Sequence, residues 1–93
     1  MSDQEFTQTL KIINEKGLHA RASARFVETV DAFDADAQVS KDGLDVGGDS
    51  IMGLMMLAAA KGCEIEVTTT GREAENLANA LKELVESYFG EGA

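Results

Sequence analysis

The sequence predicts an α+β fold, an open-faced two-layer sandwich in which a four-stranded antiparallel sheet carries three helices on one face. Apolar residues switch along the chain between the two-residue period of strands and the 3.6-residue period of helices, in the order βαββαβα. The connections are short and the strands are apolar on one side only, which favours antiparallel pairing with helices over one face. With 93 residues and few aromatics, we expect one domain, residues 1–93, around a thin core.

The first half of the chain contains a strand, a helix and a hairpin. Residues 6–13 alternate as in a half-buried strand, with Phe6, Leu10 and Ile12 on one face. Residues 14–17 form a turn, and residues 20 to about 32 have the apolar spacing of an amphipathic helix. Residues 35–39 alternate again, and Lys41-Asp42-Gly43 indicates a hairpin into a short third strand, residues 44–46.

The second half contains two helices on either side of a strand. Ser50 is placed to cap a helix running from Ile51 to about Ala60, with Gly62 as the left-handed residue at its end. Residues 64–70 alternate as a fourth strand. After Gly71, an apolar stripe that reaches Tyr88 predicts the longest helix. We expect only the chain ends to be frayed, particularly residues 90–93.

Composition excludes several classes of function. Seventeen carboxylates against eight lysines and arginines give a net charge of −9, which disfavours nucleic acid as a partner. No apolar run approaches the roughly 18 residues of a membrane span, and the first five residues lack the features of a signal peptide. A single cysteine fits a reducing compartment. We therefore expect a cytoplasmic protein that is not inserted in a membrane.

The only histidine, His19, stands at the predicted start of a helix, two residues before Arg21. A helix N-terminus favours a phosphate group, and arginine offers a charged donor fork for its oxygens. A neutral imidazole there is a candidate nucleophile, although a histidine that merely caps the helix explains the pattern as well. Arg25, one turn further on, either adds positive charge for partner docking or belongs to a solvated face. One histidine and one cysteine have no recognisable ligand spacing, so we expect no metal.

A second motif begins at Ser50, which by itself is an ordinary helix cap. The following helix has more apolar residues than one buried stripe of so short a helix needs. We expect Leu54 and Leu57 to point inward, and Ile51, Met52 and Met55 to stay partly exposed as a docking surface for several partners. The alternative is that all of these side chains fill a thin core.

Together, the segment Gly17-Leu18-His19-Ala20-Arg21, the segment Ser50-Ile51-Met52-Gly53-Leu54-Met55-Met56-Leu57 and the βαββαβα order resemble the HPr family. These are histidine phosphocarriers of the bacterial phosphoenolpyruvate-dependent phosphotransferase system. The resemblance covers residues 6–89. The Ala58-Ala59-Ala60-Lys61-Gly62 segment and the acidic tail also resemble the NPr members of the nitrogen-related branch.

The resemblance implies a relay in which Enzyme I passes phosphate to His19 and His19 passes it to IIA proteins, in sugar uptake or nitrogen-linked signalling. It implies that Arg21 steadies the phosphoryl group and that Ser50 is a regulatory site for an HPr kinase/phosphorylase. Two positions depart from the family. Ala22 replaces the usual proline, which loosens the helix start, and Asp49 replaces a usual basic residue, which weakens the case for a kinase at Ser50.

Two other functions stay open beside the phosphocarrier, which we expect to be a monomer without a cofactor. An acylphosphatase-like enzyme would also use an arginine in a phosphate-binding loop, but would turn over a small phosphate substrate. A regulatory module, including an NPr-type carrier that acts mainly by protein binding, would use the methionine surface and work without His19.

Overall fold

The computed structural model describes residues 4–91, and its elements follow the predicted βαββαβα order. The strands are β1 (Gln4–Lys11), β2 (Asp36–Lys41), β3 (Leu44–Gly47) and β4 (Glu64–Gly71). The helices are α1 (Ala20–Asp31), α2 (Ile51–Met56) and α3 (Ala74–Glu86), and α3 is followed by a short 3-10 helix, Tyr88–Gly90. The predicted fold class is confirmed.

The sheet has the strand order β1-β4-β2-β3, and all neighbouring strands are antiparallel. Lys11 at the end of β1 lies opposite Glu64 at the start of β4, so the chain enters α1 and leaves α2 at the same end of the sheet. Asp42 and Gly43 both have positive φ, 52° and 85°, between the paired residues Lys41 and Leu44. This is the geometry of a type I′ hairpin turn, and the predicted hairpin is therefore confirmed.

The core lies between one face of the sheet and the helices. Each fully buried aliphatic or aromatic side chain stabilises such a core by roughly 1.5–3 kcal/mol relative to an exposed one. Its largest fully buried apolar side chains are Phe26, Phe89, Ile12, Leu54, Ile65, Leu77, Leu81, Val39, Val67 and Val85. Both side chains that were predicted to turn inward from α2, Leu54 and Leu57, are buried.

Strand β1 differs from its prediction in its bounds and in one side chain. It ends at Lys11, because Ile12 pairs with the turn before β4: its amide donates to the Cys63 carbonyl oxygen at 2.8 Å, and its own carbonyl oxygen accepts from the Gly62 amide at 2.7 Å. Phe6, predicted on the buried face, is 37% exposed and belongs to the core only in part.

Helix α2 ends at Met56, and the predicted end near Ala60 is wrong. Ala58 has a left-handed φ of 52°, which breaks the helix, and its amide closes the last turn on the Met55 carbonyl oxygen. Gly62 has φ 94°, but it lies in the next turn and does not end the helix. Residues 58–60 thus form a loop of their own.

The chain after α3 is also more ordered than predicted. Tyr88 does not continue the helix, because Tyr88 and Phe89 have left-handed φ values of 61° and 53°. This turn buries Phe89 completely and directs Gly90 and Glu91 toward the start of α1, where Glu91 is hydrogen-bonded. The expectation of a frayed end is therefore wrong for these two residues, and residues 92–93 lie outside the described ones.

Candidate functional site

His19 is the N-cap of α1, as its position in the sequence predicts. Its backbone is extended, with φ −77° and ψ −177°, and its carbonyl oxygen accepts the first helical hydrogen bond from the Ser23 amide at 2.8 Å. The ring atom Nδ1 accepts from the backbone amide of Arg21 at 3.3 Å. A backbone N–H can only donate a hydrogen bond, so Nδ1 must accept it with a lone pair. In a neutral imidazole the single ring proton is therefore on Nε2.

Gly17 fixes the loop that carries this histidine. Its φ is +64°, and a Cβ atom there would lie 2.4 Å from the carbonyl oxygen of Ala59 and 2.9 Å from the Cα of Ala60. Next to it, the amide of Leu18 donates to the same Ala59 carbonyl oxygen at 2.9 Å. Glycine is thus required both for its conformation and for the close approach of the loop that follows α2.

Two residues that sequence reasoning missed, Glu91 and Asn14, complete the surroundings of the imidazole. Glu91 Oε2 lies 2.5 Å from His19 Nε2, and its other oxygen accepts from the Asn14 side-chain amide at 3.1 Å. The same amide group of the fully buried Asn14 donates to the Gly17 carbonyl oxygen at 2.9 Å. The side-chain oxygen Oδ1 of Asn14 has no hydrogen-bond partner among residues 4–91.

The ionised form of Glu91 is favoured in this position. Loss of hydration, the largest single effect, raises the pKa of Glu91. Hydrogen bonds from His19 and Asn14, together with the charges of His19 and Lys16, outweigh that effect and lower the pKa below its ordinary value of 4.5. Glu91 therefore stands beside the imidazole as a carboxylate.

An open cleft of about 600 Å³ lies in front of His19. Two cationic side chains, Lys16 and Arg21, line it together with Glu15, Ala20, Gly90 and Glu91. Arg21 is exposed and forms no ion pair with any of residues 4–91, so its guanidinium can bind an anion that enters the cleft. The predicted neighbours His19 and Arg21 do come together at one cleft.

Arg25 lies one turn along α1 and does not line the cleft. Its guanidinium lies near Gly90 instead: a Cβ atom built on Gly90 would be 3.5 Å from Arg25 Nη1. Arg25 is exposed.

Ser50 is the N-cap of α2, and its Oγ accepts from the Gly53 amide at 2.9 Å. Its backbone is extended, with φ −117° and ψ 111°, and the residue is half-buried. Asp49 beside it is exposed, so the N-terminal end of α2 already has a negative charge.

The outer side of α2 presents an apolar surface, which we call the α2 patch. The exposed fractions of its residues are 40% for Ile51, 75% for Met52, 43% for Met55 and 66% for Met56. The first three match the predicted exposure, and Met56 is an addition that the sequence analysis did not single out. Flexible thioether side chains adapt to differently shaped partners at little cost.

The α2 patch and His19 belong to one side of the molecule. Helices α1 and α2 pack against each other, and a shallow groove of about 240 Å³ joins the loop after α2 to the histidine. This groove is lined by Lys16, Leu18, His19 and residues 58–60. The groove thus lies between the imidazole and the loop that follows the α2 patch.

Within residues 4–91, no helix is long and apolar enough to cross a membrane. No three histidine, cysteine, aspartate or glutamate side chains of that part of the chain are grouped so that they could hold a metal ion. Cys63 is half-buried directly before β4 and does not line the cleft at His19.

Comparisons with known proteins agree with this geometry. A family model described as the PTS HPr component phosphorylation site matches residues 6–87. The phosphocarrier protein HPr of Neisseria meningitidis serogroup A is 51% identical over 85 residues, which cover 91% of this chain and 96% of that protein. The phosphocarrier protein NPr of Escherichia coli K12 is 38% identical, with 90% and 94% covered.

The crystal structure of HPr-C-His from Thermoanaerobacter tengcongensis superposes with a TM-score of 0.88 at 40% identity, over 92% of this chain and 97% of that one. The fold, the family model and the similar sequences are those of phosphocarrier proteins of the phosphotransferase system. The chain belongs to the HPr family.

Proposed function

We propose that the chain accepts a phosphoryl group from phosphorylated Enzyme I on Nδ1 of His19 and passes it to IIA proteins. The observation that carries this proposal is the pair of hydrogen bonds on the imidazole. Nδ1 accepts from the Arg21 amide while Nε2 contacts a carboxylate, so the lone pair needed for attack is on the nitrogen that faces the helix start. Phosphoryl transfer depends mainly on alignment and on charge stabilisation, both of which a small carrier can supply.

Arg21 has the second role in this proposal. Its guanidinium lines the cleft and has no ion-pair partner in the described part of the chain, so it is free to bind phosphoryl oxygens. The amide of Arg21, which now donates to Nδ1, is close enough to donate to a phosphoryl oxygen once that nitrogen is substituted.

The α2 patch is the docking surface that we propose for both partners, and we propose that the exposed Arg25 of α1 adds a charged contact. Exposed apolar side chains together with positive charge suit a partner with an apolar depression rimmed by carboxylates. Phosphorylation of Ser50 by an HPr kinase/phosphorylase is the regulation we propose, because Ser50 is the N-cap of the helix that carries the α2 patch.

Intact-mass analysis after incubation with phosphoenolpyruvate, Mg²⁺ and Enzyme I tests the proposal. We expect one added phosphoryl group that is labile in acid and absent from His19→Ala. Subsequent addition of a IIA protein should discharge it. Phosphorylation of His19→Ala to the wild-type level would contradict the assignment, and so would steady turnover of a small phosphate substrate by the isolated chain, as an acylphosphatase-like enzyme would show.

Two named relatives bear on the branch of the system. Identity is 51% to the HPr of Neisseria meningitidis and 38% to the NPr of Escherichia coli, so members of both branches match the chain and the acceptor protein decides between them. Parallel discharge by a sugar-specific IIA protein and by a nitrogen-related IIA protein distinguishes the two. Faster transfer to the nitrogen-related protein would assign the chain to the NPr branch.

A further inference from the structure

The imidazole of His19 is held from both sides, and one of the two contacts comes from the far end of the chain. Glu91, 72 residues away in sequence, places Oε2 2.5 Å from Nε2. The two side chains are 28% and 16% exposed, so water reaches the contact only in part. Asn14 holds the other oxygen of Glu91 and is itself fixed to the Gly17 carbonyl oxygen.

The three side chains form a directed series of hydrogen bonds. A carboxylate only accepts, so the atom it contacts on a neutral imidazole must carry the proton. The Arg21 amide at Nδ1 imposes the same assignment from the other side. Both contacts therefore select the Nε2–H tautomer, in which the Nδ1 lone pair is available for attack.

We propose that Glu91 is a positioning residue for phosphoryl transfer, which holds a proton on Nε2 of His19 both before and after Nδ1 is phosphorylated. This inference rests on the carrier function proposed above. It gives Glu91 a part in the chemistry although its carboxylate is across the ring from the phosphoryl group.

The transfer step shows why a proton at Nε2 matters in both directions. In the forward step the Nδ1 lone pair forms a bond to phosphorus, and the bond from phosphorus to the donor breaks with its electron pair left on the donor. The ring keeps Nε2–H and becomes positively charged, and the Glu91 carboxylate neutralises that charge. In the onward step a nucleophile of the IIA protein forms a bond to phosphorus, the Nδ1–P bond breaks with its electron pair returning to Nδ1, and the ring departs as a neutral imidazole. Without the proton it would have to depart as an imidazolate anion, a much poorer leaving group.

The first measurement needs no partner protein. Two-bond ¹H–¹⁵N correlation spectra of the labelled full chain, at a pH where the ring is neutral, distinguish the two tautomers of His19. We expect the Nε2–H form alone in the wild type and a clear population of the Nδ1–H form in Glu91→Ala. Glu86→Ala is the matched control, because Glu86 is an exposed carboxylate at the end of α3 and its loss changes the net charge equally.

The second measurement is the rate of phosphorylation of the same variants by Enzyme I. We expect kcat to fall about tenfold in Glu91→Ala, as for the loss of one charge-assisted hydrogen bond, with KM equal to that of Glu86→Ala. A tautomer population or a kcat for Glu91→Ala that matches the control would overturn the inference while leaving the carrier function intact. A wild-type chain that accepts no phosphate would instead overturn the proposed function, and this inference with it.

Discussion

The backbone amide of Leu18 donates to the carbonyl oxygen of Ala59 at 2.9 Å and so joins the two segments that characterise this sequence. One of them carries His19, and the other ends the helix that bears the α2 patch. Ala58, which directly precedes this acceptor, has a left-handed φ of 52°. His19 and the α2 patch are thus positioned by the same pair of loops.

Replacement of Gly17 tests this junction. Gly17→Ala introduces a left-handed alanine and a Cβ atom 2.4 Å from the Ala59 carbonyl oxygen. Gly43→Ala is the matched control, because Gly43 also has positive φ but has open space around its Cα. The control should lose about 1–2 kcal/mol of unfolding free energy, and Gly17→Ala roughly 1–3 kcal/mol more. Urea unfolding measures both values, and equal losses would mean that the loops separate without cost.

The acid sensitivity of the tail contact follows from the lowered pKa of Glu91. A carboxyl group whose pKa is lower in the folded state stabilises that state fully above its unfolded value, here 4.5. This contribution is lost as the pH falls below 4.5, through the folded-state pKa. Carboxyl ¹³C shifts followed during a titration should give a pKa below 4.5 in the wild type and a higher one in His19→Ala, where burial still raises the pKa and one favourable hydrogen bond is gone. Identical titrations would show that His19 does not hold the carboxylate.

The periodic part of the sequence was sufficient to predict the fold. Strands and helices follow from local apolar patterns, and Asp42-Gly43 determines its hairpin through backbone geometry that few residues adopt. The histidine cap and its arginine neighbour were likewise predictable, because both lie in one helical turn. Local patterns therefore gave the elements, their order and one half of the site.

The other half of the site depends on contacts that no local pattern records. Glu91 reaches His19 because Tyr88 and Phe89, two bulky residues, adopt left-handed backbone angles that such residues seldom have. The glycines and the glutamate of residues 90–93 are typical of a frayed chain end, and Asn14 belongs to a segment whose residue types are typical of a turn. Neither segment therefore indicates a contact with His19. Phe89 was the available signal, since an aromatic side chain near a polar tail indicates that the tail is anchored to the core.

Loss of the arginine side chain should slow transfer without unfolding the protein. Arg21 is exposed, and its removal takes away a charged donor that lines the cleft. We expect Arg21→Ala to lose about 1.5–3 kcal/mol of phosphoryl stabilisation. Arg72→Ala is the control, since Arg72 is an exposed arginine that does not line the cleft at His19. Stopped-flow transfer rates on variants with native circular dichroism decide the matter, and equal rates for the two variants would leave Arg21 a surface residue only.

A charge placed in the α2 patch should weaken docking of both Enzyme I and IIA proteins. Met52→Asp and Met55→Asp replace side chains that are 75% and 43% exposed, so little packing is lost. Leu44→Asp is a matched control, because Leu44 is 41% exposed but lies in β3. Titration calorimetry should show weaker binding to both partners for the methionine variants and unchanged binding for the control. Unfolding of the methionine variants would instead assign these side chains to the core.

A negative charge at Ser50 should slow phosphorylation of His19 by Enzyme I without rearranging the fold. Ser50 opens the helix that carries the α2 patch, and Asp49 already makes this end negative. A phosphate adds about two further negative charges at the edge of a surface proposed to meet acidic partners. Ser50→Asp is the charged substitute, and Ser50→Asn is its control, because asparagine caps a helix equally well without the charge.

Transfer rates for the two variants at Ser50, measured at low and high ionic strength, separate the effect of the charge from the effect of the cap. At low salt we expect Ser50→Asp to be slower than both Ser50→Asn and the wild type. At high salt the difference should shrink, because screening acts on exposed charges beyond a Debye length of about 10 Å at 0.1 M. If both variants are slowed equally and salt has no influence, the hydroxyl matters through the 2.9 Å hydrogen bond from the Gly53 amide and not through charge. If neither is slowed, Ser50 is a helix cap without a regulatory role.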